Sequence, residues 1–156
     1  MVLTNEQKVI KVKCENDLLF FTRYIYKENH RRNFLVAPHF VLIADFLTKV
    51  FNGEIKRGII NIPPRYGKTE LAVKCFISWC LARNASSKFI HLSYSDDLAL
   101  DNSSQTKEYI ESDSFQSLWG MKLKKDAQGK KKWFNEQGGG DYATASDGAI
   151  IGLCAV

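Results

Sequence analysis

Within Pro63-Pro64-Arg65-Tyr66-Gly67-Lys68-Thr69 a glycine, a lysine and a hydroxyl follow one another, the three residue types that together grip a phosphate. The stretch lies between a short β-like run, Gly58-Ile59-Ile60-Asn61-Ile62, and a helical pattern from Glu70 to Arg83. A tight loop joining a buried strand to a helix aims several backbone N–H groups at one point, and the positive end of the helix dipole adds to the pull on an anion. In such a cradle Lys68 reaches the terminal phosphates of a nucleotide, and the Thr69 hydroxyl stands where a Mg²⁺ ion needs an oxygen ligand. Pro64, Arg65, Tyr66, Gly67 and Glu70 complete the candidate nucleotide-binding set. The full loop pattern asks for a glycine five residues before Gly67, and Ile62 holds that place. Strand and helix context therefore carries the reading, against the plain alternative of a basic turn capped by a hydroxyl.

The elements that must position the loop are legible as patterns. Leu71, Ala72, Cys75, Phe76, Trp79 and Cys80 form one apolar stripe on the following helix, which is expected to face a sheet. Lys88-Phe89-Ile90-His91-Leu92-Ser93-Tyr94 reads as a second strand, so strand, helix and strand make a βαβ unit with a parallel pair. Ser93-Tyr94-Ser95-Asp96 starts another helix running to about Glu111. Upstream, Asn16 and Asp17 cap a helix to about Lys27, and a mostly apolar helix runs from His39 to about Phe51, stopped by Asn52-Gly53. Phe34 to Pro38 is extended, because the residue before a proline is pushed out of the α region. Phe115, Leu118 and Trp119 make a short apolar turn ending at Gly120. Lys132-Trp133-Phe134, Asp141-Tyr142-Ala143-Thr144 and Ala149-Ile150-Ile151 are then glycine-punctuated β-like runs. The expected organisation is a helical segment over 1–52, with two helices before the first core strand, and an α/β core over 53–156.

Length and composition bound the rest. A chain of 156 residues, 45% hydrophobic and 25% charged, builds about one globular domain and is not a disordered composition. The net charge of +5 and pI near 9.0 suit a polyanionic partner. Much of the excess sits in Lys122, Lys124, Lys125, Lys130, Lys131 and Lys132, which is either a DNA-facing edge or a solvated surface. Cys14, Cys75, Cys80 and Cys154 lack metal-site or paired spacing, and a reducing cytoplasm fits them. No apolar run approaches the roughly 20 residues of a membrane span, and Met1 to Glu15 has no signal-peptide core, so a soluble protein without a membrane partner is expected.

Ile60-Asn61-Ile62-Pro63-Pro64-Arg65-Tyr66-Gly67-Lys68-Thr69-Glu70, then Ser93-Tyr94-Ser95-Asp96-Asp97-Leu98-Ala99, then Gly148-Ala149-Ile150-Ile151-Gly152 resemble the ATPase half of tailed-phage terminase large subunits. Gly53-Glu54-Ile55-Lys56-Arg57-Gly58 and Ser117-Leu118-Trp119-Gly120 look like that family too, and the likeness covers roughly residues 15 to 152. The resemblance implies a P-loop NTPase-type fold, a mainly parallel sheet with flanking helices. It also implies ATP and Mg²⁺ as cofactors and the work of driving double-stranded DNA into a procapsid. A small terminase subunit, a portal and a homo-oligomeric ring are the implied partners, and the host bacterial cytoplasm the implied location. Lys68 and Arg65 are the implied catalytic residues, with Mg²⁺ on Thr69. An arginine in this loop either stabilises charge developing in phosphoryl transfer, worth about 10³–10⁵ in rate, or merely neutralises ground-state phosphates. The family's adenine-contacting segment falls on Phe34 to Phe40, where His39 is either a base contact or a helix cap. Ser95, Asp96 and Asp97 meet DNA or a neighbouring subunit, or serve only the helix start. Lys130, Lys131 and Lys132 are the candidate DNA contacts.

One departure bears on activity. The family continues after Gly152 into a strand ending in paired acids that hold Mg²⁺ and polarise the attacking water, whereas Leu153-Cys154-Ala155-Val156 carries no carboxylate. The expected core is therefore incomplete, lacking the acidic strand and the nuclease domain, as in a truncated or frame-disrupted product, a fragment, or a chain completed by a partner. Such a chain has the phosphate clamp without the water-polarising base, and weak or absent ATPase activity by itself is the expectation. The alternatives are a non-catalytic or vestigial nucleotide-binding fragment and a helicase-like translocase on single strands, against which the double proline and the Ser93-Tyr94-Ser95-Asp96-Asp97 segment stand.

Overall fold

Polar side chains at fixed offsets start the helices. Thr4 and Gln7 form a reciprocal capping box that opens α1 (Asn5–Asn16), each side chain bonded to the other's backbone N–H. Asp17 opens α2 (Leu18–His30), its Oδ1 accepting from Leu19 N at 2.8 Å and Phe20 N at 2.9 Å. Pro38, whose missing N–H costs nothing in a first turn, begins α3 (Pro38–Phe51). The computed structural model describes residues 2–129 and 131–145, and for 126–128 the backbone alone. Three helices, not two, thus precede the loop.

The loop helix begins at Lys68. Its first full stretch, Glu70–Cys75, is π-helical and runs without a break into α4 (Phe76–Arg83). Strand β1 (Lys88–Ser93) follows, then α5 (Asp96–Glu111), started by Ser95, whose hydroxyl accepts from Leu98 N at 3.3 Å. Helix α6 (Asp113–Trp119) ends at Gly120, which takes φ +60° in the left-handed region where glycine carries no penalty. A Lys-rich β2 (Leu123–Gln128), β3 (Lys132–Asn135) and β4 (Gly140–Ala145) complete a four-stranded sheet in the order β1-β4-β3-β2.

The described protein is α/β, with six α-helices and a mixed sheet. Only β1 and β4 are parallel, with Lys88 opposite Gly140 and Ser93 opposite Ala145, while β3 runs antiparallel to both β4 and β2. Two sequence expectations are corrected. The mainly parallel sheet is mixed among the described residues, because a tight turn over 136–139 folds β3 back onto β4 and makes that pair antiparallel. The run Gly58 to Ile62 joins no strand of that sheet, so the parallel partner of β1 is β4. Ile60 and Ile62 pack on the core from an extended segment, while Ile59 is 91% exposed. Residues 146–156, with the Gly148-to-Gly152 motif and the Ala149-Ile150-Ile151 run, lie outside the described residues, as does Lys130.

A third correction concerns what the loop helix packs on. Leu71, Cys75, Trp79 and Cys80 are buried as their spacing predicts. The face they build meets helices: the π-helical stretch packs on α2, α3 and α5, and α4 on α1, α2 and α5. Trp79 fixes one such contact by donating its indole N–H to the Cys14 carbonyl at 2.8 Å. Leu18, Phe21, Ile25, Ile43 and Leu47 from the first helices therefore share one hydrophobic cluster with Leu71, Cys75, Trp79, Ile110, Phe115 and Trp133. Each large side chain buried there contributes about 1.5–3 kcal/mol. Cys14, Cys75 and Cys80 are free and buried, and burial, ahead of the charges of Glu15 and Asp17, pushes the Cys14 thiol up to about 12. No described helix is long and apolar enough to cross a membrane.

Candidate functional site

The candidate loop residues, 63–69, sit between the 58–62 segment and the π-helical stretch, where backbone conformation and the rings of His39 and Phe40 shape them. Gly67 has φ +72°, a conformation that favours glycine, and a Cβ added there would stand 2.7 Å from Phe40 Cζ, so the ring would have to shift. Arg65 has φ +66°, a region non-glycine residues enter only where surroundings hold them. His39 supplies one such hold: its Nε2 lies 3.3 Å from the Tyr66 carbonyl, which only accepts, so Nε2 carries the proton. The His39 ring also lies 4.1 Å from that of Phe40 and 6.1 Å from that of Tyr66. By resemblance His39 is a base contact or a helix cap; its described hydrogen bond is with the loop backbone.

The first hydrogen bond of the helix is Leu71 N–H to the Gly67 carbonyl, 3.2 Å. The amides of Lys68, Thr69 and Glu70 thus precede the helical ladder, at the positive end of the dipole. Lys68 and Thr69 are half-buried, and among the described residues Lys68 and Arg65 have no ion-pair partner and the Thr69 hydroxyl no hydrogen bond. A sheltered ammonium without a carboxylate, a free hydroxyl and unladdered amides form a donor set suited to a polyphosphate. For Mg²⁺ the loop offers the Thr69 oxygen, a hard ligand of the kind the ion takes together with phosphate oxygens and water. Among the described residues no cluster of three or more His, Cys, Asp or Glu side chains could hold a metal.

Glu70, a member of the candidate set, turns inward. Its Oε1 accepts from the Tyr109 hydroxyl and from the Cys75 thiol at 3.8 Å, and its Oε2 from Lys74 Nζ at 3.1 Å. Tyr109 in turn meets His30 Nε2 at 2.8 Å. Burial, then the nearby Cys75 and Glu70, pushes the Tyr109 phenol far up, which keeps it a proton donor. Sequence reading missed Tyr109 and His30, since they reach the loop helix from α5 and α2 and carry no local signal.

Other candidate residues fall elsewhere. Asp96 Oδ1 accepts from Ala145 N at 2.8 Å and so ties the start of α5 to the end of β4, while Ser95 caps α5 and Asp97 stands exposed in its first turn. Lys122, Lys124, Lys125, Lys131 and Lys132 are exposed on the β2–β3 hairpin, with Lys132 Nζ 5.3 Å above the Phe134 ring. An open groove of about 720 Å³ beside that hairpin is lined by Glu111, Gln116, Met121, Lys122 and Lys124, not by loop residues. Comparison of the chain with protein-family models, with curated proteins and with solved structures gives no match.

Proposed function

We propose that this chain binds Mg-ATP at residues 64–70 and is the nucleotide-binding part of a P-loop ATPase of the terminase large-subunit type, one that couples hydrolysis to the movement of double-stranded DNA. The observation that carries the reading is the loop geometry: Gly67 in a left-handed turn against Phe40, followed at a helix start by a half-buried Lys68 that has no counter-ion among the described residues. The motif likeness over residues 60–70 and 93–99 supports the family, and the exposed lysine hairpin supports a polyanionic partner.

Within this reading the loop amides and Lys68 hold the β- and γ-phosphates, and Thr69 orients the ion that neutralises them. Lys68 draws off charge as the terminal phosphoryl departs, and Arg65, three residues earlier, exposed and free of any described ion pair, is the second candidate for the same work. A second reading, nucleotide binding without turnover, is favoured by Glu70: the one carboxylate of the loop is drawn to Tyr109 and Lys74, away from the place of an attacking water. Phosphate release from Mg-ATP in the wild type and in Lys68→Ala tests both. Release that depends on Lys68 supports the ATPase; Lys68-dependent binding with no release supports the second reading; binding indifferent to Lys68 overturns both.

A further inference from the structure

We propose that Glu70 is a positioning residue whose hold by Tyr109 and His30 sets the phosphate loop, so that helix α2 forms part of the nucleotide site; the affinity half of this inference rests on the nucleotide reading above. Glu70 directly follows Thr69, and its side chain is 17% exposed. A carboxylate in the first turn favours the helix dipole yet repels a triphosphate at the same helix end. Turned inward, it serves the first role and avoids the second.

The hold is directional. The Tyr109 hydroxyl gives its proton to Glu70, so the phenol oxygen is left as acceptor and His30 Nε2, 2.8 Å away, must be the donor. The chain runs from α2 through α5 to the start of the loop helix. Lys74, one turn on, binds both Glu70 Oε2 and Gln105 Oε1 of α5. Tyr109 and Gln105 of α5 thus hold Glu70 and Lys74 of the Glu70–Cys75 stretch, with His30 of α2 behind Tyr109, and that stretch is π-helical, a wide turn that is rare and concentrates at functional sites. Loss of the clamp frees the carboxylate to swing toward the phosphates and lets the turn relax, which moves the amides of residues 68–70.

The test uses the full chain and two readouts: calorimetric titration with Mg-ATP, and hydrogen exchange over residues 68–75 without nucleotide. Tyr109→Phe removes one proton donor at nearly constant shape, and about tenfold weaker binding with faster exchange over 68–75 is expected, the size of a hydrogen bond to a charged group. His30→Leu is expected to act in the same direction, whereas His30→Gln keeps an N–H for the phenol and restores both readouts. A general loss of packing would not be rescued by glutamine. Unchanged exchange and unchanged affinity in Tyr109→Phe overturn the inference. A wild type that takes up no Mg-ATP overturns the nucleotide reading instead, and exchange over 68–75 then still decides for or against the clamp.

Discussion

Gly67 is constrained by its backbone conformation and Asp141 by its burial. Alanine at position 67 would have to hold φ near +72° and press its methyl group into Phe40. Gly67→Ala is expected to destabilise the fold by about 1–3 kcal/mol, read by chemical denaturation, and to weaken nucleotide binding as well; an unchanged midpoint would contradict the described loop conformation. Asp141 is fully buried on β4 and accepts from Ser103 Oγ at 2.7 Å, while Ser103 also accepts from Trp133 Nε1 at 3.0 Å. Burial raises its pKa from 3.8 to about 6, against the smaller opposing pull of the Ser103 bond. Below pH 3.8 the acid is neutral folded and unfolded, and its burial carries no ionisation penalty. As pH rises from 3.8 to about 6 the unfolded chain ionises first and stability falls; above about 6 the whole penalty is present. Asp141→Asn is expected to add up to about 3 kcal/mol at neutral pH and little at pH 4, measured as unfolding free energy at both. An equal effect at the two pH values would contradict the buried carboxylate.

Among the elements, starts and stops were the legible part. Asp17, Ser95 and Gly120 sit where capping chemistry puts them, and Asn52-Gly53 closes α3 as written. Ser95→Ala is expected to cost about 1 kcal/mol through loss of the cap of α5, seen as a lowered melting temperature; no change would mean that Asp96, tied to Ala145, holds the helix start alone. Helix α1 was not legible because its apolar positions Val9 and Val12 face solvent and only Cys14 is buried, which leaves no stripe to read. Strand β2 was hidden by its lysines, which suit the outer edge of a sheet, where charge discourages pairing with another chain. Spacing told correctly that Leu71, Cys75 and Trp79 are buried, but periodicity names a buried face and not what covers it. Covering by α2, α3 and α5 depends on long-range packing, and so does the Glu70–Tyr109–His30 chain. The run Gly58 to Ile62 has strand-forming residues, yet a strand also needs a hydrogen-bonded neighbour, and no described strand supplies one.

On the scale of the whole molecule, the first helices and the loop helix share a core, so the proposed phosphate loop is braced from its N-terminal side by the packing that buries Phe21, Leu47 and Trp79. The exposed lysines lie apart from that core, on the β2–β3 hairpin. Changing Lys130, Lys131 and Lys132 to Gln is expected to weaken duplex DNA binding alike for all sequences and to flatten its salt dependence by about 2–3 in slope, close to one unit for each lysine that neutralises a phosphate. Binding that keeps both its strength and its slope would leave the hairpin as plain solvated surface. Most directly, the nucleotide site is tested by calorimetric titration of Mg-ATP into the wild type and Lys68→Ala. Saturable binding by the wild type that drops by at least tenfold in the variant is the predicted result, since a charge-assisted contact of about 1.5–3 kcal/mol is removed. Absent binding in the wild type, or equal binding in the two, would contradict a phosphate grip at residues 64–70.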